Sequence, residues 1–154
     1  MKEATQVLLT CDNQIGFMKQ AVDAMYDEFA KLSAVTIDDQ NDPSIFLPEG
    51  KAISPAQAAH CLLEMKRTAI FLRGIHQAIS DMLQQERTAP LSILYAGTGP
   101  YATLLTPLLH LYKPTEIQID LMDINPVSIR SANQVFQALG FGAYVNAVFE
   151  GVDA

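Results

Sequence analysis

LSILYAGTGP, residues 91–100, is the stretch that decides the fold of this chain. Its first six residues carry no charge and run directly into a Gly-Thr-Gly-Pro turn, a pattern that is typical of a short buried strand. After the turn, residues 101–111 have leucines at helical spacing, at positions 104, 105, 108 and 109. The stretch therefore predicts a strand, a glycine turn and a helix, in that order.

The same alternation continues downstream. EIQIDLMD, residues 116–123, predicts a second strand, and residues 143–149 predict a third. Between them, Asn125 and Pro126 predict the start of a helix that continues to about Leu139, with Gly140 as its C-cap. Strands that alternate with helices through short connections predict an α/β fold, in which a partial Rossmann-like parallel sheet of three strands has right-handed crossovers.

The first 90 residues have a different character. Residues 14–31 have apolar side chains at helical spacing, which predicts an amphipathic helix, and residues 35–51 predict a loop. Ser54 and Pro55 predict the start of a helix that runs to about Glu86. We therefore expect an N-terminal helical cap over residues 1–90 and a cofactor-binding half-domain over residues 91–154.

Composition and charge argue against several classes of protein. Ten Lys and Arg against 17 Asp and Glu give a net charge of −7, whereas a nucleic-acid groove needs a surplus of cations. The chain has no apolar run of about 20 residues that could span a membrane. The histidines, at positions 60, 76 and 110, lack metal-ligand spacing. Cys11 and Cys61 form no disulfide framework, which predicts a cytoplasmic location.

Two motifs lie where the first two predicted strands end. Gly97 and Gly99 form a GxG turn, in which the missing side chains let the backbone turn sharply and let a ligand approach closely. Asp123 follows Gly97 by 26 residues, where nucleotide-binding sheets place an acid that accepts hydrogen bonds from ribose hydroxyls. The alternative is a plain turn and a helix cap, although Asn125 stands in the better capping position.

Together these motifs resemble the first half of a class I S-adenosylmethionine-dependent methyltransferase. ILYAGTGP, residues 93–100, is similar to the glycine-rich first motif of that family. LMDINPVSIRSA, residues 121–132, is similar to its second-strand acid and the following helix, and FEGVDA, residues 149–154, resembles the stretch after its third strand. The resemblance implies a methyltransferase, or the N-terminal cofactor-binding part of one, with S-adenosylmethionine as cofactor and an unassigned methyl acceptor.

The resemblance also implies roles for individual residues. Gly97 and Gly99 pass beside the methionine part of the cofactor, and Asp123 binds the ribose. The adenine is framed by Ile124 or Asp153. No residue of the chain stands in the position of a general base, so the catalytic residues are left unassigned.

A further resemblance reaches upstream. HCLLEMKRTAIF, residues 60–71, is similar to the helix that precedes the fold in protein arginine methyltransferases. It implies that Arg67 binds the methionine carboxylate and that Phe71 covers the site. A guanidinium matches the two carboxylate oxygens in geometry and charge. The alternative is a surface arginine that is paired with Glu64.

The chain also departs from the family pattern. Ile93 stands where the family usually has an acid, and Tyr95 stands where it has its first glycine, so Tyr95 borders the cofactor in this comparison. The family sheet has seven strands in the order 3-2-1-4-5-7-6, of which the chain supplies the first three. The strand at residues 91–96 is then an apolar edge, which invites pairing. Either the chain is a piece of a longer protein that covers this edge, or a second copy covers it as a homodimer.

Two other functions compete with this interpretation. One is an NAD- or FAD-binding Rossmann domain, which predicts GxGxxG and a pyrophosphate at the start of the helix; here the third small residue is Ala102. The other is a non-catalytic, degenerate methyltransferase-like module that acts in assembly, which the departures at Ile93 and Tyr95 favour.

Overall fold

The computed structural model describes residues 1–11, 14–33, 35–37, 44–48 and 50–151. In chain order, the helices and strands of these parts are α1 (Lys2–Thr10), α2 (Ile15–Leu32), β1 (Ile45–Leu47), β2 (Gly50–Ala52), α3 (Pro55–His60), α4 (Met65–Leu83), β3 (Leu91–Ala96), β4 (Ile117–Asp123), α5 (Pro126–Ala138) and β5 (Val145–Glu150). Short 3-10 helices lie at Cys61–Leu63, Thr106–Leu111 and Gly142–Tyr144.

A parallel sheet of three strands in the order β3-β4-β5 forms the α/β part and confirms the predicted fold class at this level. Leu91 pairs with Ile117, and Tyr95 pairs with Leu121. On β4 every second side chain is buried, beginning at Ile117. This face of the sheet carries the core, and α4, α5 and the 3-10 segment after the glycine turn pack against it. No helix in these described parts is both long and apolar enough to cross a membrane.

Helix α5 begins and ends as its sequence predicts. The Asn125 side chain accepts a hydrogen bond from the Val127 N–H (2.9 Å), which satisfies one of the free donors of the first turn. At the other end, Gly140 has φ +77°, and the Phe141 N–H donates to the Phe136 carbonyl (2.7 Å). This is the glycine-terminated helix end expected at this position.

The helix predicted over residues 101–111 is wrong. Residues 100–105 form turns, and a 3-10 helix follows at Thr106–Leu111. An α-helix over this range would place Pro107 in its interior, where the ring lacks an N–H and collides with a carbonyl of the preceding turn. Ala102 has φ +46°, and the Thr106 hydroxyl donates to the carbonyls of Tyr101 (2.6 Å) and Ala102 (3.0 Å). Leu105, Leu108 and Leu109 are buried and Leu104 is partly buried, but without α-helical geometry.

The N-terminal part differs from its prediction in three places. The helix predicted over residues 14–31 is confirmed as α2, whereas α1 had no counterpart in the prediction. The predicted loop at 35–51 contains a hairpin, β1–β2. The single helix predicted to run from Ser54 to about Glu86 is divided into α3 and α4 at residues 61–64, where Glu64 has ψ 70°. The Thr68 hydroxyl donates to the Leu62 carbonyl (3.0 Å) across this break, replacing a helical bond.

The N-terminal helices pack directly on the α/β part. Tyr101, which is fully buried, lies in the same cluster as Phe29 and Leu72, and its hydroxyl donates to the Val35 carbonyl (2.7 Å). The Thr5 hydroxyl donates to the Pro107 carbonyl (3.0 Å). Helix α3 and the start of α4 lie near the end of β3, where Ala58, Arg67 and Ala96 line one cavity.

Candidate functional site

The carboxyl ends of β3 and β4 meet at the glycine turn. The N–H of Gly97 donates to the Met122 carbonyl (2.9 Å), so the turn is tied to the end of β4. Gly97 has φ +69° and Gly99 has φ +60°, a region that costs other residues energy. A Cβ built on Gly99 would lie 3.2 Å from the Ala58 Cβ of α3, which is tighter than ordinary contact. Both glycines are therefore required by the backbone, and Gly99 also by the close approach of α3.

Asp123 holds this turn in place. One carboxylate oxygen, Oδ2, accepts from the Gly99 N–H (2.8 Å) and, at 3.5 Å, from the Thr98 hydroxyl. The other oxygen, Oδ1, accepts from the Asn125 N–H (2.8 Å) at the start of α5. Asp123 is only 7% exposed. The predicted meeting of the glycine turn with this carboxylate is therefore present, although its first role is to bind backbone N–H groups.

A cavity of about 250 Å³ opens between the glycine turn and the break that separates α3 from α4. Its walls come from the turn, from the two helices and from the turns after Pro100. The lining residues are Ile53, Ala58, Cys61, Arg67, Thr68, Phe71, Tyr95, Ala96, Gly97, Thr98, Gly99, Thr103 and Leu104. The cavity brings together Arg67, Tyr95, Gly97 and Gly99, four of the residues predicted from sequence.

Arg67 extends into this cavity from the first turns of α4. Its guanidinium donates to the Glu64 carboxylate (3.1 Å), and its Cζ lies 5.9 Å from the centre of the Phe71 ring. A hydrogen bond with the Cys61 side chain, followed by the bond to Glu64, raises the pKa of Arg67. The bonds to Glu64 and Cys61 use two donors of a side chain that has five, so three are left for an anion. Phe71 is 47% exposed and lies at the cavity wall.

Tyr95 stands where the resemblance to the glycine-rich methyltransferase motif puts that motif's first glycine. Its side chain lies on the core face of β3, and its hydroxyl accepts from the Leu104 N–H (3.3 Å). Burial raises the pKa of Tyr95 to about 12, so the phenol is neutral near pH 7. The negative charge of Asp123 raises the pKa of this phenol slightly further, and the positive charge of Arg67 lowers it.

The two remaining predicted positions are Ile124 and Asp153. Ile124 is partly buried and, like Asp123, is not part of the cavity wall. Asp153 lies outside the described residues.

Sequence reasoning missed other lining residues, among them Ala58, Cys61 and Thr68. Cys61 and Thr68 fall in the same twelve-residue stretch as Arg67, and the break in that stretch turns them toward the cavity. Within the described residues, no cluster of three or more His, Cys, Asp or Glu side chains could hold a metal ion.

Taken together, the arrangement offers a cation, a neutral phenol and close-approach glycine backbone around one cavity, with a carboxylate directly behind the turn. Groups of these kinds can bind and orient a polar or anionic ligand. Comparison with protein-family models finds no match, and neither the comparison with curated proteins nor that with solved structures finds a significant one.

Proposed function

We propose that the chain binds S-adenosylmethionine at the glycine turn and is a methyltransferase, or the cofactor-binding part of one. The observation that supports this most is the 2.8 Å hydrogen bond from the Gly99 N–H to Asp123, because it joins the two motifs of the proposed site at one point. Gly99 and Asp123 are 24 residues apart in sequence, and the parallel pairing of β3 with β4 brings them to the edge of the sheet where ligands of open α/β sheets bind. The methyl acceptor is left unassigned.

The cavity suits the methionine end of the cofactor in size and charge. Small-molecule sites usually have volumes of about 300–1,000 Å³, so a cavity of about 250 Å³ holds part of the cofactor rather than all of it. Arg67 would pair with the carboxylate of the amino acid, and the glycine backbone would pass beside the chain that carries the sulfonium. When bound, the cofactor supplies a methyl group on a good leaving group.

The ribose would bind at Asp123, beyond the cavity wall. Each carboxylate oxygen has two acceptor positions, and the short backbone bonds from Gly99 and Asn125 occupy one on each. The second position on Oδ1 would accept from one ribose hydroxyl, and the second position on Oδ2, which the Thr98 hydroxyl approaches only to 3.5 Å, would accept from the other. On this proposal the same carboxylate orders the turn and binds the sugar, so the site is formed before the ligand arrives.

The remaining wall residues would exclude water and orient the ligand. Phe71 lies within cation–π distance of the arginine and would cover the carboxylate end, while the neutral Tyr95 lines the inner wall. Methyl transfer by in-line displacement depends mainly on such positioning.

The absence of an α-helix over residues 100–111 weighs against a dinucleotide site. A pyrophosphate would bind at the N-terminus of an α-helix, whose free N–H groups and dipole attract anions. Here turns follow Gly99, and the short 3-10 helix begins only at Thr106. A methionine carboxylate that is bound by Arg67 does not need that helix.

The proposal is tested by ligand binding measured with calorimetry and thermal unfolding. S-adenosylhomocysteine should raise the melting temperature, whereas NAD should not; at 100 times the dissociation constant the ligand stabilises the fold by about 2.7 kcal/mol. Arg67→Ala should weaken binding by roughly 10- to 100-fold, since it removes a charge-assisted hydrogen bond of about 1.5–3 kcal/mol. Lys66→Ala is the matched control, because Lys66 is the neighbouring exposed cation and is not part of the cavity wall.

Stabilisation by NAD but not by S-adenosylhomocysteine would overturn the proposal in favour of a dinucleotide site. The absence of binding by either ligand at millimolar concentration would favour the non-catalytic assembly module. Equal weakening by Arg67→Ala and Lys66→Ala would remove the assigned role of Arg67.

A further inference from the structure

The outer edge of β3 has free backbone hydrogen-bonding groups. At its two ends, the N–H of Leu91 donates to the Glu116 carbonyl and the N–H of Gly97 donates to the Met122 carbonyl. The backbone N–H and C=O groups of the odd-numbered residues of β3 therefore point toward β4. The backbone groups of Ser92, Leu94 and Ala96 therefore point away from the sheet. In the part of the chain that the structure describes, no strand pairs with this edge.

This edge lacks the features that normally prevent strands from pairing. Proteins protect open edges with charges, proline or bulges, and β3 has none of these; the register shift in the sheet lies between β4 and β5. Lys, Arg, Asp and Glu are absent from residues 88–112. In a chain with a net charge of −7, this is a surface on which two identical molecules can meet without bringing like charges together.

The face of the sheet opposite the core is also uncovered beside this edge. Leu94 is 58% exposed and Phe149 is 41% exposed, and the register places both on that face together with Ala96 and Met122. Parallel sheets are normally covered on both faces. The same register places Asp120 beside Leu94 on this face, so the apolar area that continues the edge consists of Leu94, Ala96, Met122 and Phe149.

We propose that a second copy of the chain pairs with β3 in antiparallel orientation, about a two-fold axis at Leu94. In this register Leu94 lies opposite its own counterpart, and Ser92 lies opposite Ala96. A large central residue with small, uncharged neighbours on both sides is self-complementary, as a two-fold interface requires. The outward N–H and C=O groups of the two edges then satisfy each other, and the two sheets join into one of six strands.

The oligomeric state of the full chain tests this proposal. Sedimentation equilibrium at micromolar concentration should give twice the 16.9 kDa mass of one chain. Leu94→Lys should return the mass to that of a monomer, because the substitution places two like charges opposite each other. Val127→Lys is the matched control: Val127 is 42% exposed on α5, so the variant should keep the dimer.

The register is tested separately by cross-linking. Directly opposite residues of a hydrogen-bonded antiparallel pair have Cα atoms about 5.5 Å apart, within the range of a disulfide. In a chain whose free Cys11 and Cys61 are both replaced by Ser, Leu94→Cys should therefore form a covalent dimer under mild oxidation, which the Ser-substituted chain alone and its Val127→Cys variant should not do. Circular dichroism of each variant establishes that it is folded.

A monomeric wild type at all concentrations would overturn the proposal. So would a dimer that keeps its mass in folded Leu94→Lys, or a folded Leu94→Cys variant that forms no covalent dimer, since either result places the contact elsewhere.

Discussion

Replacing Asp123 with Asn should destabilise the fold by about 2–4 kcal/mol. The carboxylate accepts from the backbone N–H groups of Gly99 and Asn125, both at 2.8 Å, and it is only 7% exposed. An amide has one acceptor oxygen, so one of these N–H groups faces an NH₂ group and loses its partner. A hydrogen bond to a charged group contributes roughly 1.5–3 kcal/mol, and a buried unpaired donor costs about 1–3 kcal/mol. The two figures are not added in full, because both include the loss of the same hydrogen bond, and we therefore expect about 2–4 kcal/mol.

Chemical denaturation followed by circular dichroism measures this loss. Asp120→Asn is the matched control, since Asp120 lies on the same strand but on the open face, where it accepts from the Asn146 side chain (2.7 Å) in an exposed setting. We expect the control to change the free energy of unfolding by less than about 0.5 kcal/mol. A loss below about 1 kcal/mol for Asp123→Asn, or equal losses for the two variants, would refute the reasoning that this carboxylate holds the turn.

Three further predictions give the direction of a change in stability. Gly99→Ala should lower stability by about 1–2 kcal/mol, because the residue has φ +60° and Ala58 lies 3.2 Å from the added Cβ. Gly74→Ala should raise stability by about 0.5–1 kcal/mol, since a Cβ there meets nothing within 4 Å. Thermal unfolding measures both glycine variants, and a loss of stability in Gly74→Ala would contradict the open space at this position. The stability that Tyr95 contributes is complete below pH 10 and should fall as the pH rises toward 12, by roughly 2.7 kcal/mol for a pKa raised from 10.0 to about 12. Tyr95→Phe should reduce this alkaline loss in pH-dependent denaturation, and an unchanged pH profile would show that another group controls it.

The elements that were predictable from sequence are those whose local signals agree with their packing. The strand at Leu91–Ala96 has the predicted bounds, and α5 begins at Asn125 and ends before Gly140 because capping and glycine chemistry act locally. The segment after Gly99 shows the opposite case. Its leucine spacing suits a helix. However, Pro107 lacks the N–H that a helix needs, and the Thr106 hydroxyl donates to the carbonyls of Tyr101 and Ala102. The spacing of apolar residues alone does not show that a proline and a side-chain hydroxyl disrupt the helical hydrogen bonds.

The candidate site was predictable in part for a similar reason. The meeting of Asp123 with the glycine turn follows from the parallel order of β3 and β4, which puts both strand ends at one edge. The residues of the cavity wall were harder to predict from sequence. Their position depends on the change of direction at residues 61–64, which brings Cys61 and Thr68 beside Arg67. That change arises from tertiary packing and from the Thr68 hydroxyl bond, neither of which has a clear signature in the sequence.

Nuclear magnetic resonance titration with S-adenosylhomocysteine tests the proposed cofactor site most directly. The account predicts that the amide signals of Gly97 and Gly99 and the Nε signal of Arg67 shift with a common dissociation constant, while signals from α1 stay in place. Unchanged signals from the glycine turn at millimolar ligand, or saturable shifts confined to residues far from it, would contradict the account.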